Sequence, residues 1–271
     1  MKTLKFLFAI TALLLVTDGH AQFLKKLKKK VAKAAEHTIE RKVEEKTEKE
    51  TEKVFDSTFN NQGNLFKKSN VAPSKFYTFT HKYIMEISQR KDTTQLTYYL
   101  ASQGDYLGSA VQMKENEQMV TVMDLSKKTA YSFMDFGDVK TMMSFGLNFE
   151  EIIEKTQDNS EMIIEATGNT KKILSYNCDE YKVKGADMYG TIWVTQDAPI
   201  SFSDAFSKVK SKNKNASKGM NQSWMSMIEG LTLEMNMTDT SKRKPKNIVM
   251  RCIAVEETDY AIETALYKKS F

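Results

Sequence analysis

The sequence has 271 residues, 41% of them hydrophobic and 28% charged, enough for one substantial core. Against 35 acidic residues stand 40 basic ones, and the net charge of +5 is too mild to point to nucleic acid as a partner. Three histidines and two cysteines leave little from which to build a clustered metal centre or a Cys-His pair.

The chain opens with Lys2 and Lys5, an apolar run from Phe6 to Val16 broken at Thr11, and a polar exit of Asp18, Gly19, His20 and Ala21. That is the layout of an export signal over residues 1–21. Its apolar core is about a dozen residues, short of the roughly 20 a bilayer-spanning helix needs. The expectation is an exported protein, periplasmic or extracellular, beginning near Gln22 and either soluble or peripheral to a membrane. The alternative is an uncut N-terminal anchor. No cysteine stands at the boundary to accept a lipid.

Residues 22–60 differ in kind from the rest. Phe23, Leu27, Val31, Ala35, Ile39 and Val43 recur every four residues, and Lys25, Lys26, Lys28, Lys29, Lys30 and Lys33 fill the positions between. This spacing predicts a helix with one narrow apolar stripe that drifts around the axis, since four exceeds 3.6. Beyond Arg41 the pattern becomes charge alone, with Glu45 and Lys49 at the supportive four-residue spacing. Three readings of this arm stay open: a charged tether, a partner helix, or a membrane-contact segment in which Phe23, Leu24, Leu27 and Val31 meet an anionic surface beside Lys25, Lys26, Lys28, Lys29 and Lys30. Residues 61–73, beginning Asn61, Gln62, Gly63 and Asn64, read as a linker.

From 74 to 271 period-two patterning dominates, which predicts one β-rich domain built on a mainly antiparallel sheet. Strands are expected at 76–87, 95–100, 119–123, 129–134, 162–166, 172–184, 189–194, 231–237 and 248–255. The stretch Asp124, Leu125, Ser126, Lys127, Lys128 reads as a hairpin turn. Accessory helices are expected at 138–145, at 149–154, and over most of 203–228 outside its Lys/Asn/Ser/Gly middle.

Cys178 and Cys252 both fall in predicted strands. An oxidising compartment permits a disulfide between them, closing a loop of roughly 75 residues and stabilising by about 3 to 4 kcal/mol; two buried free thiols fit equally well. Neither is placed as a nucleophile, with His37 in the arm and His81 alone in a strand. Leu231, Leu233, Met235 and Met237 share one face of a predicted strand, which serves a core or an adaptable apolar binding surface. The sequence holds no GxxxxGK, GxSxG or HExxH motif, and no metal or cofactor is expected.

The segment Lys172 to Val194, KILSYNCDEYKVKGADMYGTIWV, resembles the DUF4412 family of exported, uncharacterised bacterial proteins of Bacteroidetes type. The resemblance lies in Lys171 or Lys172, Ile173 or Leu174, Tyr176, Cys178, Tyr181, and Ile192-Trp193-Val194, with Ser175 departing from the usual glycine. Earlier, MVTVMDLSKKTAYSFM is similar to the family's strand-turn-strand. The resemblance spans about Phe76 to Val255 and implies a fold like periplasmic lipoprotein carriers: an incompletely closed antiparallel barrel holding apolar ligand against helices. Tyr176, Tyr181 and Trp193 then face either the core or such a cavity, together with Met235 and Met237. The function expected is that of a non-enzymatic envelope protein binding a lipid or acyl chain. The alternative is a structural or interaction module that contacts membrane, cell wall or an envelope partner through the arm. The oligomeric state is not legible.

Overall fold

A computed structural model describes residues 66–89, 92–102, 104–114, 117–137, 139–147, 163–202, 228–241 and 243–269. The export signal, the charged arm and the helices expected at 149–154 and 203–227 lie outside the described residues. What is described is overwhelmingly strand: β1 (Phe66–Lys68), β2 (Phe76–Gln89), β3 (Asp92–Leu100), β4 (Tyr106–Lys114), β5 (Glu117–Asp124), β6 (Thr129–Asp135), β7 (Lys140–Leu147), β8 (Ile163–Ile173), β9 (Tyr176–Lys184), β10 (Met188–Thr195), β11 (Leu231–Asp239), β12 (Lys246–Glu263) and β13 (Lys268–Lys269). A 3-10 turn, Thr264–Leu266, separates the last two.

All the strands join in one open sheet of order β1-β7-β6-β5-β4-β3-β2-β12-β11-β10-β9-β8, with β13 added in parallel to β7. The chain steps outward from β2 to β7 and restarts at the opposite edge with β8. It then returns strand by strand to β12, which pairs with β2 in the middle of the sheet. The expected antiparallel sheet is therefore present, and β1 and β8 end the path without pairing with each other. Strand β1 falls in the segment read as a linker. It is tied down by Ser69, whose N–H donates to Ser144 O at 3.1 Å and whose carbonyl accepts from Ser144 Oγ at 2.7 Å.

The central strands β3 to β7 are buried on both faces. On one side lies the main apolar cluster, which takes Leu96, Tyr98 and Leu100 from β3, Leu107 from β4, Met123 from β5, Ala130 and Met134 from β6, and Met143 and Phe145 from β7. The intervening residues Tyr99, Ala110, Val120, Val122, Tyr131, Phe133 and Met142 form a second, aromatic cluster on the other side. That side is covered by the start of β2 and the end of β12. Phe79 contacts Tyr99 and Tyr106, Tyr77 contacts Tyr131 and Phe133, and Tyr260 stacks on Tyr99. Two register shifts in β12, at Cys252/Ala254 and Glu257/Tyr260, are the bulges that re-aim its end.

Burial on both faces corrects two expectations. A helix is expected over 138–145, but residues 140–145 belong to β7, where Met142 enters the aromatic cluster and Met143 the main one. A short run apolar on both sides does not distinguish strand from helix by periodicity. The expected strand at 172–184 divides into β8 and β9 at a two-residue turn, Leu174 and Ser175, with Ile173 paired to Tyr176. Strand β4 was not foreseen, since Gly108, Ser109 and Ala110 are weak strand formers. The hairpin turn after Asp124 is as expected. Asp124 Oδ1 accepts from Ser126 Oγ at 2.7 Å and Lys127 N at 3.0 Å, and Lys128 takes φ 50°.

Candidate functional site

Ladder register aligns a transverse row of hydroxyls on the face of the main cluster. Tyr83 pairs with Tyr98, Tyr98 with Ser109, Ser109 with Thr121, and Thr121 with Ser132. Directly paired residues share a face, so the row crosses β2 to β6. It is flanked on one side by Leu100, Leu107, Met123 and Ala130, and on the other by Leu96, Met119 and Met134. Three small polar side chains thus lie between rows of bulkier, mostly apolar ones. Ser109 and Ser132 are buried and Thr121 is partly exposed, with Thr121 Oγ1 and Ser132 Oγ 2.9 Å apart.

The head of the row is its most confined part. The rings of Tyr83 and Tyr98 are fully buried and each meets Phe202 edge-on, at 5.2 and 5.4 Å between centroids. Tyr83 donates its hydroxyl to Thr232 O at 2.8 Å, but the Tyr98 hydroxyl is buried with no hydrogen-bond partner among the described residues. An unsatisfied buried hydroxyl costs about 1–3 kcal/mol. Burial drives both phenols well above the usual tyrosine range, and for Tyr83 the neighbouring Cys252 and Tyr98 add to the shift.

The residues expected at an apolar-ligand surface are brought into this same cluster. Met235 and Met237 are buried in it, while Tyr176, Tyr181 and Trp193 are partly buried against it. Trp193 is overlain by Lys171, whose Nζ stands 4.2 Å from the indole centroid and 2.7 Å from Glu234. Arg251 approaches the same carboxylate at 3.4 Å. Cation–π and ionic contacts thus occupy the accessible side of the indole.

Cys178 and Cys252 are both buried free thiols in the main cluster. Burial pushes the Cys252 thiol up to about 12, and the nearness of Cys178 adds to the rise; Cys178 is raised mainly by burial. Cys252 Sγ donates to Ala254 O at 3.4 Å, and His81 Nδ1 lies 2.9 Å from Thr80 Oγ1. Among the described residues no group of three His, Cys, Asp or Glu side chains could hold a metal ion. On the outer side, an open hollow of about 610 Å³ is lined by Ile163, Glu165, Lys182, Tyr189 and Asn236, among others.

The strand expected at 95–100 contains Tyr98, but the row itself does not follow from the sequence. The signal was the alternation of Leu107 with Ser109, Met119 and Met123 with Thr121, and Ala130 and Met134 with Ser132. It becomes a row once β4 and the register are known.

The profile of the family described as "Domain of unknown function (DUF4412)" matches residues 79–262, from the first half of β2 to the end of β12. The chain belongs to the DUF4412 family. The DUF4412 match takes in the hydroxyl row, the two cysteines and every residue expected at the apolar surface. Among curated proteins, none matches the chain. Two solved structures of PNGF-II, in space groups P21 and C2, are similar to 70% of this chain, at 13% and 11% identity and TM-scores of 0.35 and 0.31. The DUF4412 chain spans 31% of the length of each.

Proposed function

We propose that this protein is an exported, non-enzymatic envelope protein that holds an apolar ligand, a lipid or acyl chain, against the inner face of an incompletely closed antiparallel barrel like that of periplasmic lipoprotein carriers. The observation that carries the reading is the main cluster, an apolar face shared by β2 to β7 and β9 to β12 and rich in methionine. Methionine suits such a face because its flexible thioether adapts to ligands of irregular shape. The export signal puts the protein where lipids must cross an aqueous space. Native mass spectrometry of gently purified protein tests the reading: a lipid or fatty acyl species should co-purify or load from vesicles. Protein that neither retains nor takes up any such species would sink it.

The basic arm supports a second reading, an interaction module that contacts membrane, cell wall or an envelope partner through residues 23–31. Here Phe23, Leu24, Leu27 and Val31 give an apolar side to a lysine-rich segment. Deleting residues 22–60 should then release the protein from the envelope fraction while leaving the sheet folded. Unchanged fractionation would count against it.

A further inference from the structure

We propose that the open hollow on the outer face of β8 to β11 binds an acidic oligosaccharide, with a uronate ring stacked on Tyr189 and its carboxylate held by Lys184. The site lies on the opposite face from the main cluster and does not rest on the acyl-ligand reading. Three observations carry it.

The first is shape. The hollow measures about 610 Å³, within the roughly 300–1,000 Å³ of small-ligand sites. Strand register sets its floor as two rows. Ile163, Lys184, Tyr189 and Thr238 pair in turn across β8, β9, β10 and β11. Glu165, Lys182, Thr191 and Asn236 form the neighbouring row. Met235 and Met237, which alternate with Asn236 and Thr238, are buried in the main cluster, so the rows face outward. Strand β8 ends the path of the sheet, and an oligosaccharide longer than the hollow runs off that edge without meeting another described strand.

The second is the chemistry of the lining. Tyr189 is 54% exposed and presents its ring to solvent. One face of a pyranose shows C–H groups of partial positive charge, which the electron-rich face of a tyrosine attracts. Thr191, Asn236 and Thr238 supply hydroxyl and amide groups that both donate and accept, as sugar hydroxyls require. No polar side chain of the two rows hydrogen-bonds or ion-pairs with another described residue. In the next row, built on Glu180, Trp193 and Glu234, the polar groups already engage one another. Glu180 accepts from Thr167 Oγ1 at 2.9 Å and Asn169 Nδ2 at 2.7 Å, and Lys171 closes over Trp193 onto Glu234. The unengaged polar groups coincide with the hollow.

The third is charge. Glu165 and Lys182 are direct cross-strand partners and offset each other. Lys184 is the cation left over, and it is the direct partner of Tyr189. Such partners stand about 5 Å apart at Cβ, so a sugar ring on Tyr189 brings a carboxylate on that ring within reach of the Lys184 ammonium. A neutral sugar leaves this cation unused.

The test uses the full exported chain in calorimetric titrations with hexamannuronate, hexagalacturonate and mannohexaose, the last differing from the first only in lacking the carboxylates. Wild type should bind at least one of the two acids, and more tightly than mannohexaose, with high salt weakening the acid and not the neutral sugar. Tyr189→Ala should weaken the bound acid roughly 10-fold, while Tyr189→Phe, which keeps the ring, should hold most of the affinity. Lys184→Gln should remove the preference for the acid over mannohexaose. Phe76→Ala, which removes an equally exposed aromatic outside the hollow, should change nothing. Wild type that binds neither acid overturns the inference. So do equal binding of acid and neutral sugar, affinity unaffected by Tyr189→Ala, a preference that survives Lys184→Gln, or an equal loss in Phe76→Ala.

Discussion

Tyr260 stacks on Tyr99 with ring centroids 4.3 Å apart and planes 22° from parallel. The two belong to strands that do not pair with each other: Tyr99 comes from β3, and Tyr260 arrives from the far end of β12 after its second bulge. The contact fastens the end of the chain over the back of the sheet. Gln118 Nε2 donates to the Tyr260 hydroxyl at 2.9 Å, and Phe79 stacks on the same ring at 6.0 Å.

Tyr260→Ala should therefore destabilise the domain by about 3 kcal/mol, the cost of removing a large aromatic from a packed cluster. Tyr260→Phe keeps the stack and loses the Gln118 bond, for about 1 kcal/mol. Urea denaturation of both variants checks the pair. Equal losses would mean that the hydroxyl, not the ring, fastens the strand.

Gly190 is required by close approach of β10 to β11. A Cβ at that position would lie 2.1 Å from Asn236 O and 2.6 Å from Met237 Sδ. The sulfur can move but the backbone oxygen of a paired strand cannot without breaking the ladder. Gly190→Ala should cost on the order of 2–3 kcal/mol, more than a glycine-to-alanine change at an open strand position. A thermal shift within error of wild type would show that the two strands can separate freely.

Leu174 turns β8 into β9 with φ 55°, a left-handed conformation that costs a residue with a Cβ about 1 kcal/mol or more. Its side chain is 49% exposed, so little packing is lost on its removal. Leu174→Gly should stabilise by about 0.5–1 kcal/mol, after allowing for the greater freedom of glycine in the unfolded chain. Denaturant titration decides the sign, and a destabilised variant would show that Leu174 packs against something more than its turn.

The thiols make the protein sensitive to alkali. Burial raises the Cys252 pKa to about 12, so the folded state keeps a proton that the unfolded chain releases near pH 8.5. A raised acid pKa gives stability that is complete below the unfolded value and is lost as pH climbs toward the folded one. Stability should decline from about pH 8.5 to 12, and the raised phenols of Tyr83, Tyr98 and Tyr131 should extend the loss above pH 10. Unfolding titrations across pH 7–11 measure it, with Cys252→Ser expected to flatten the first part of the slope. In the folded protein at pH 8 a thiol reagent should react slowly, and in urea without reductant it should find two equivalents. None would mean that Cys178 and Cys252 are joined.

Much of the sheet was legible locally. Strands β2, β3, β5, β6, β10, β11 and the first part of β12 follow from alternation, and the turn after Asp124 follows from its side-chain chemistry. Family membership was legible too, from Tyr176, Cys178, Tyr181 and Trp193 in β9 and β10. The strand at Lys140–Leu147 and the strand at Tyr106–Lys114 were not. The first is apolar on both faces, and the second carries Gly108, whose missing Cβ leaves room for the Phe79 ring at 3.0 Å.

The sequence by itself determined that this is a β-rich chain of the DUF4412 family with its apolar residues set at strand period, because alternation and turn chemistry are written in neighbouring residues. The tertiary structure alone decided that β3 to β7 are covered on both faces, that Tyr260 rests on Tyr99, and that Tyr98 stands at the head of a hydroxyl row with no hydrogen-bond partner among the described residues. Those facts depend on register across six strands and on a chain end that folds back over the sheet from more than 150 positions away. Hydrophobic burial and hydrogen-bond satisfaction are properties of the assembled surroundings, and no local window of sequence contains them.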